Sequence, residues 1–168
     1  MSYTKQEKLD VIKRRHQILL RQVELFKAHL DCGSYLIVAE KYGIYRTAPS
    51  KACDKLLDAL AWFVSIYNRP DPVHTGAASR LENKTYWYAL VDEYLRFSEV
   101  RVNLTVDSPV EYLSIAPGTA SVLIELNIKT VGKLIDTLRT NKRSLIDTFG
   151  LNTAAVSGME KALDEHGY

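Results

Sequence analysis

Thr119-Ala-Ser-Val-Leu-Ile-Glu-Leu-Asn-Ile-Lys-Thr-Val-Gly-Lys-Leu-Ile-Asp-Thr-Leu-Arg139 is the stretch whose reading decides the fold. Val122, Leu123 and Leu126 recur at helical spacing, and so do Val131, Leu134, Ile135 and Leu138. Between them Asn127 to Thr130 is too short and polar to be anything but a turn, with Ile128 as an apolar plug. The pattern predicts helix, tight hairpin, helix. Upstream, Asp107-Ser108-Pro109 is a helix-start signal, a capping oxygen followed by proline where the missing N–H is not needed. Downstream, a third helix follows after Leu145 and Ile146, and Phe149-Gly150-Leu151-Asn152 breaks the chain before a last one. That last helix carries Val156, Met159 and Leu163 on one face and is closed by Gly167.

Working outward, residues 1–107 read as an aromatic-rich helical domain. From residue 4 to 30, Leu9, Ile12, Leu19, Val23, Phe26 and Leu30 form a heptad seam in which His16 takes the one missing position. A second line, Val11, Ile18 and Leu25, makes the helix apolar on another side, so it needs partners on two sides: its own bundle, or a second chain in a homodimer through residues 4–30. His16 reads as a packed, hydrogen-bonded side chain. Asp31-Cys-Gly33-Ser34 ends this helix. Residues 35–42 are a short helix or a strand, and Ser50 is expected to cap a helix running to about Tyr67. Another helix covers residues 79–97, with Trp87, Leu90, Tyr94 and Phe97 on one face. Residues 99–107 alternate strictly, with Val100, Val102, Leu104 and Val106 on one side, and predict a strand that either pairs with 35–42 or connects to the C-terminal part. The fold class is therefore mainly α: an N-terminal helical bundle with at most a short strand pair, and a helix-hairpin-helix domain over residues 108–168.

The order of elements in that domain, the string Leu-Asn-Ile-Lys-Thr-Val-Gly-Lys-Leu over 126–134, the Phe149-Gly150 break and the ending Leu163-Asp-Glu-His-Gly-Tyr168 resemble the C-terminal domain of the bacterial RNA polymerase alpha subunit. The resemblance extends to the opening Val110-Glu-Tyr-Leu113 and covers the last third of the chain. It implies a small helical domain that touches A/T-rich minor grooves and transcription activators. In that family the groove contacts come from an arginine and an asparagine at the start of the first helix and from a Gly-Lys-Lys-Ser-like turn before the last. Here the arginine position falls on Gly118 and the asparagine on Ser121, and the turn is a longer Gly150-Leu-Asn-Thr-Ala-Ala155 without lysine. The resemblance thus implies a kept scaffold without its groove-reading side chains.

Charge points the same way. Residues 108–168 hold six Lys and Arg against seven Asp and Glu, a poor footprint for phosphate binding. What remains is backbone chemistry at the helix starts, so the candidate nucleic-acid contacts are Gly118, Thr119, Ser121, Lys142, Arg143, Gly150, Asn152 and Thr153, with Lys13-Arg14-Arg15 as a further basic stripe. Eight of ten tyrosines and both tryptophans lie before residue 100, which makes Trp62, Tyr86, Trp87 and Tyr94 candidate anchors for a protein partner.

The whole chain, 168 residues with a formal net charge of +2, argues for neither a nucleic-acid coat nor a membrane-surface protein. Cys32 and Cys53 make neither a disulfide framework nor a metal site; with no apolar leader or spanning run, a cytoplasmic protein with reduced thiols is expected. Arg69 and His74 resemble the arginine-to-histidine spacing of helical ribonucleases, but Pro70 and Pro72 between them argue against the rigid helix that chemistry needs. No phosphate loop, metal-ligand spacing or nucleophile elbow occurs, so no enzyme activity and no cofactor are expected. The leading expectation is a regulatory or adaptor protein of bacterial or phage type. It would act by protein–protein contacts in a transcription or DNA-associated complex, with RNA polymerase or a transcription factor as partner. Direct nucleic-acid binding is the alternative, and a self-associating structural protein a further one.

Overall fold

A computed structural model of the chain describes residues 3–67, 69–70, 77–147 and 150–168, and the side chains of 77 and 78 are outside the description. The fold is mainly α. Helices α1 (Lys5–Cys32), α2 (Tyr35–Tyr42), α3 (Ala48–Ile66), α4 (Ala77–Glu82) and α5 (Lys84–Val102) are followed by a 3-10 turn (Val110–Tyr112) and by α6 (Pro117–Glu125), α7 (Val131–Asp147) and α8 (Thr153–Glu165). Among the described residues no helix is long and apolar enough to cross a membrane.

The chain forms two compact units: a central one, residues 14–98, and a terminal one that joins residues 1–13 to 99–168. The sequence pattern had placed a single boundary between 107 and 108; the units instead divide within α1 and within α5.

In the central unit, Leu19, Val23, Phe26 and Leu30 of the heptad seam are buried inside the chain together with Leu25 of the second line. His16, the gap in the seam, is half-buried and hydrogen-bonds Ser98 Oγ through Nδ1 at 2.8 Å. Rings fill the middle of the unit: Phe26 meets Trp87 edge-on at 5.9 Å, and Phe63 lies 5.1 Å from Phe97 and 5.2 Å from Tyr94. Such contacts add to the area these side chains remove from water. Residues 35–42 are helical, with Ser34 Oγ accepting from Ile37 N and Gly43 closing the helix at φ 61°. The start expected at Ser50 lies earlier. Thr47 precedes the helix, Pro49 sits in its first turn, and the Ser50 hydroxyl donates back to Thr47 O at 3.1 Å.

The strand expected over 99–107 is corrected. Residues 99–102 continue α5, and Val100 and Val106 are exposed at 37% and 45%, so the four apolar positions do not share one buried face. Among the described residues there is no named strand, only one antiparallel bridge, Pro109 with Thr130, and residues 35–42 take no part in it. Around that bridge the backbone exchanges Val110 N to Lys129 O (2.9 Å), Val131 N to Ser108 O (3.0 Å) and Gly132 N to Val106 O (2.7 Å). The amides that open α7 would otherwise be orphans, and the connecting segment supplies their acceptors. Asp107-Ser108-Pro109 accordingly opens only the 3-10 turn, while Ser108 Oγ accepts from Thr105 N at 3.0 Å.

The terminal unit packs Val110, Leu113, Leu123, Ile128, Val131, Leu134, Leu145, Val156, Met159 and Leu163 into one core. Asn127 makes the corner between α6 and α7 at φ 61°. Its N–H bonds Ile124 O (3.0 Å), and the next amide, Ile128 N, bonds Leu123 O (2.8 Å), so the last carbonyls of α6 are satisfied and Ile128 is turned into the core. The α7 span is two helices in series: Asn141 leaves helical geometry (φ −134°), a short third helix, after α6 and the first part of α7, continues to Asp147, and Leu145 on it is buried. At the chain's end Gly167 repeats the left-handed cap at φ 79°, with Tyr168 N bonding Leu163 O at 3.1 Å. The first turns of α1 meet this end: Lys8 pairs with Asp164, Lys5 lies 5.2 Å over the Tyr168 ring, and the Tyr168 hydroxyl donates to Leu104 O at 3.1 Å.

The corner at Asn127 is directly testable. Asn127→Gly should leave stability unchanged or slightly raised, whereas Asn127→Val should cost about 1–2 kcal/mol because a β-branched residue resists the left-handed region. Urea titrations of the two variants beside the natural chain measure the difference.

Candidate functional site

The candidate nucleic-acid residues gather at two helix starts. Helix α6 begins from an extended Ala116 with Pro117 in its first turn and no side-chain cap. Its first helical bond is Ala120 N to Ala116 O (3.0 Å), so the amides of Gly118 and Thr119 come before the hydrogen-bonded run. Gly118 is exposed, and a Cβ there would meet nothing within 4 Å. Thr119 is buried, and the half-buried Ser121 hydroxyl donates to Pro117 O at 3.2 Å. The Ser121 hydroxyl therefore serves its own helix, and the Thr119 side chain is enclosed.

Helix α8 begins differently. Gly150 is left-handed at φ 69°, and Asn152 caps the helix, its Oδ1 accepting from Ala155 N at 2.7 Å. That cap uses the acceptor oxygen a base edge would need, and Thr153 stands exposed beside it. Lys142 and Arg143 follow the Asn141 kink on α7 and are exposed, but Lys142 Nζ pairs with Glu160 Oε1 of α8 at 2.5 Å. Among the described residues no carboxylate pairs with Arg143. The two helix starts are tied to a common core through Ala120 and Val156. Lys13, Arg14 and Arg15 on α1 are exposed.

Of the four candidate partner anchors, two are corrected. Trp87 and Tyr94 are 1% and 7% exposed, walled in by Phe26 and Phe63, and a partner cannot reach them. Tyr86, 43% exposed and edge-on to Trp87 at 5.7 Å, and the half-buried Trp62, edge-on to Phe97 at 5.9 Å, keep part of their rings outside. For a second copy of the chain, α1 offers Val11 and Ile18, both exposed. As for the ribonuclease-like pair, Arg69 Nη1 bonds both carboxylate oxygens of Glu93 at 2.9 and 3.0 Å, and His74 lies outside the described residues.

Two buried histidines gave no signal in the sequence. His29 lies inside the central unit, its ring stacked 3.8 Å from that of Tyr35, and neither ring nitrogen has a hydrogen-bond partner among the described residues. It is enclosed because the chain turns back at Gly33 and brings Tyr35 over the ring, which no spacing along α1 announces. Burial, then the Arg80 guanidinium, holds its pKa below the usual histidine value. His166 is buried at the end of α8, and burial with the Arg101 guanidinium pushes its pKa down to about 4. Cys53 is buried and its thiol is pushed up to about 11, so it is protonated and unreactive at neutral pH. Among the described residues no group of three or more His, Cys, Asp or Glu is placed to hold a metal ion.

Compared with protein-family models, with curated proteins and with solved structures, the chain matches none of them.

The histidines give a pH signature. Unfolded imidazoles take protons near pH 6.5 while His166 in the fold resists until about 4, so the unfolded state binds more protons in this window and stability falls as pH falls. For His166 the loss should reach roughly 2 kcal/mol after discounting for solvent screening. Urea midpoints at pH 7 and 4.5 should show the drop, and His166→Gln should flatten it.

Proposed function

We propose that the chain is a non-enzymatic regulatory or adaptor protein of bacterial or phage type. In this reading residues 108–168, on a helix-hairpin-helix frame like that of the RNA polymerase alpha C-terminal domain, work in a transcription or DNA-associated complex by contacting protein rather than by reading bases. The observation that carries it is the state of six of the eight candidate DNA positions. Gly118 and Gly150 have no side chain, Thr119 is buried, Ser121 and Asn152 bond their own helices, and Lys142 is paired with Glu160. A set of positions so poor in available cations gives little counterion release, the main source of affinity for a duplex. A protein contact needs none.

The second reading, direct nucleic-acid binding by these helix starts, draws on the uncapped start of α6 and on Arg143. It predicts affinity that falls steeply with salt, and a flat response or no mobility shift at low salt removes it.

The test of the first reading is retention of purified bacterial core RNA polymerase, with and without a sigma factor, on the immobilised full chain. Retention is expected, and a folded sample that holds no transcription component overturns the proposal.

A further inference from the structure

Outside the candidate sites, the connection between α2 and α3 in the central unit carries an unusual combination. Gly43 reverses the chain at φ 61°, with Gly43 N bonding Glu40 O (3.2 Å) and Ile44 N bonding Ala39 O (3.0 Å). Ala48 N to Tyr45 O (2.9 Å) then fixes the turn that leads into α3. These bonds hold the backbone of Tyr45 in a defined place, and its side chain is 82% exposed, the most exposed of the large apolar or aromatic side chains described. Three residues before it, the half-buried Tyr42 ring carries two cations: the Arg21 guanidinium at 4.8 Å and the Lys41 ammonium at 5.7 Å. Arg46 follows Tyr45 directly and Lys51 lies one turn into α3, both exposed. From 41 to 51 there is no acidic residue; Glu40 borders the patch, and Glu24 engages Arg21 at 2.8 Å.

We propose that this turn is a binding site for single-stranded nucleic acid, in which a base stacks on Tyr45 and the flanking phosphates are met by Lys41, Arg46 and Lys51, with Arg21 alongside. Charge complementarity selects a polyanion, and the open ring amid the cations selects one that presents flat faces. A duplex keeps its bases stacked on each other and offers the ring nothing, whereas an unpaired strand offers a face at each nucleotide. An acidic protein would satisfy the cations and leave the ring unused. This site lies on the central unit and does not rest on the reading of residues 108–168.

The experiment is fluorescence anisotropy with the full chain, a labelled oligothymidylate of about 20 nucleotides and a duplex of equal length, at about 50 and 200 mM salt. The strand should bind more tightly than the duplex, with a slope of log affinity against log salt of about −2 to −3 for three or four neutralised phosphates. Tyr45→Ala should weaken binding by about 5- to 100-fold, while Tyr45→Phe, which keeps the ring, should bind like the natural chain. Arg46→Ala combined with Lys51→Ala should make the slope shallower by about 1–2. Lys133→Glu with Lys161→Glu, two exposed cations of residues 108–168 outside every candidate set, should change nothing. Circular dichroism checks that every variant is folded, which the exposure of these side chains favours. Absence of strand binding at low salt, indifference to Tyr45→Ala, equal binding of duplex, or loss of binding on changing Lys133 and Lys161 would each overturn the proposal. The last of these results would move the interaction to residues 108–168, and none of them bears on polymerase retention.

Discussion

The terminal unit depends on one backbone exchange. Val106, Ser108 and Lys129 give their carbonyls, and Gly132, Val131 and Val110 their amides, where the connector from α5 runs beside the start of α7. Without these acceptors the opening amides of α7 would face an apolar core unbonded, at a cost comparable to a lost hydrogen bond for each. The exchange also explains why residue 132 is glycine: a Cβ there would stand 3.2 Å from Val106 O and 3.4 Å from Val106 Cβ. Backbone held by its own hydrogen bonds cannot easily retreat from such a contact. The connector is thus a working part of the unit, and for that reason the unit reaches back to Glu99 instead of starting at Ser108.

How legible this was in the sequence depended on which physical signal was asked to speak. Helical spacing found the helices with their buried faces, including Val156, Met159 and Leu163 on α8 and the aromatic row of α5, because burial on one side of a helix imposes that spacing. Corners were legible where the left-handed region restricts the choice of residue, at Gly33 and Gly167. The period of two over 99–107 misled, since residues two apart include pairs four apart, Val100 with Leu104 and Val102 with Val106, which a helix also puts on one side. Carrying α5 on to Val102 adds helical hydrogen bonds to an existing helix, whereas a lone strand there would have had to find a partner.

The candidate site was legible as a set of positions but not as a set of available groups. The sequence marks Ser121, Asn152 and Lys142 as polar; in the fold each is already engaged, with Pro117 O, Ala155 N and Glu160 respectively. Trp87 and Tyr86 are neighbours in sequence, and the direction of their side chains around α5 puts one in the core and leaves the other partly outside. His29 and His166 were invisible because their burial is set by residues outside their own helices closing over them.

The two units differ in how their segments are ordered along the chain. Residues 14–98 are one continuous stretch whose near-terminal residues His16 and Ser98 are hydrogen-bonded to each other, whereas the other unit pairs Lys8 with Asp164 across 156 positions. On a ribosome the continuous unit can close as soon as it has emerged, while the first turns of α1 must wait, lacking the partners that are made later. Loop closure over so long a separation adds little to the equilibrium cost but slows the search. The order of events during synthesis is thereby written into the connectivity, with the inserted stretch assembling first and the split one last.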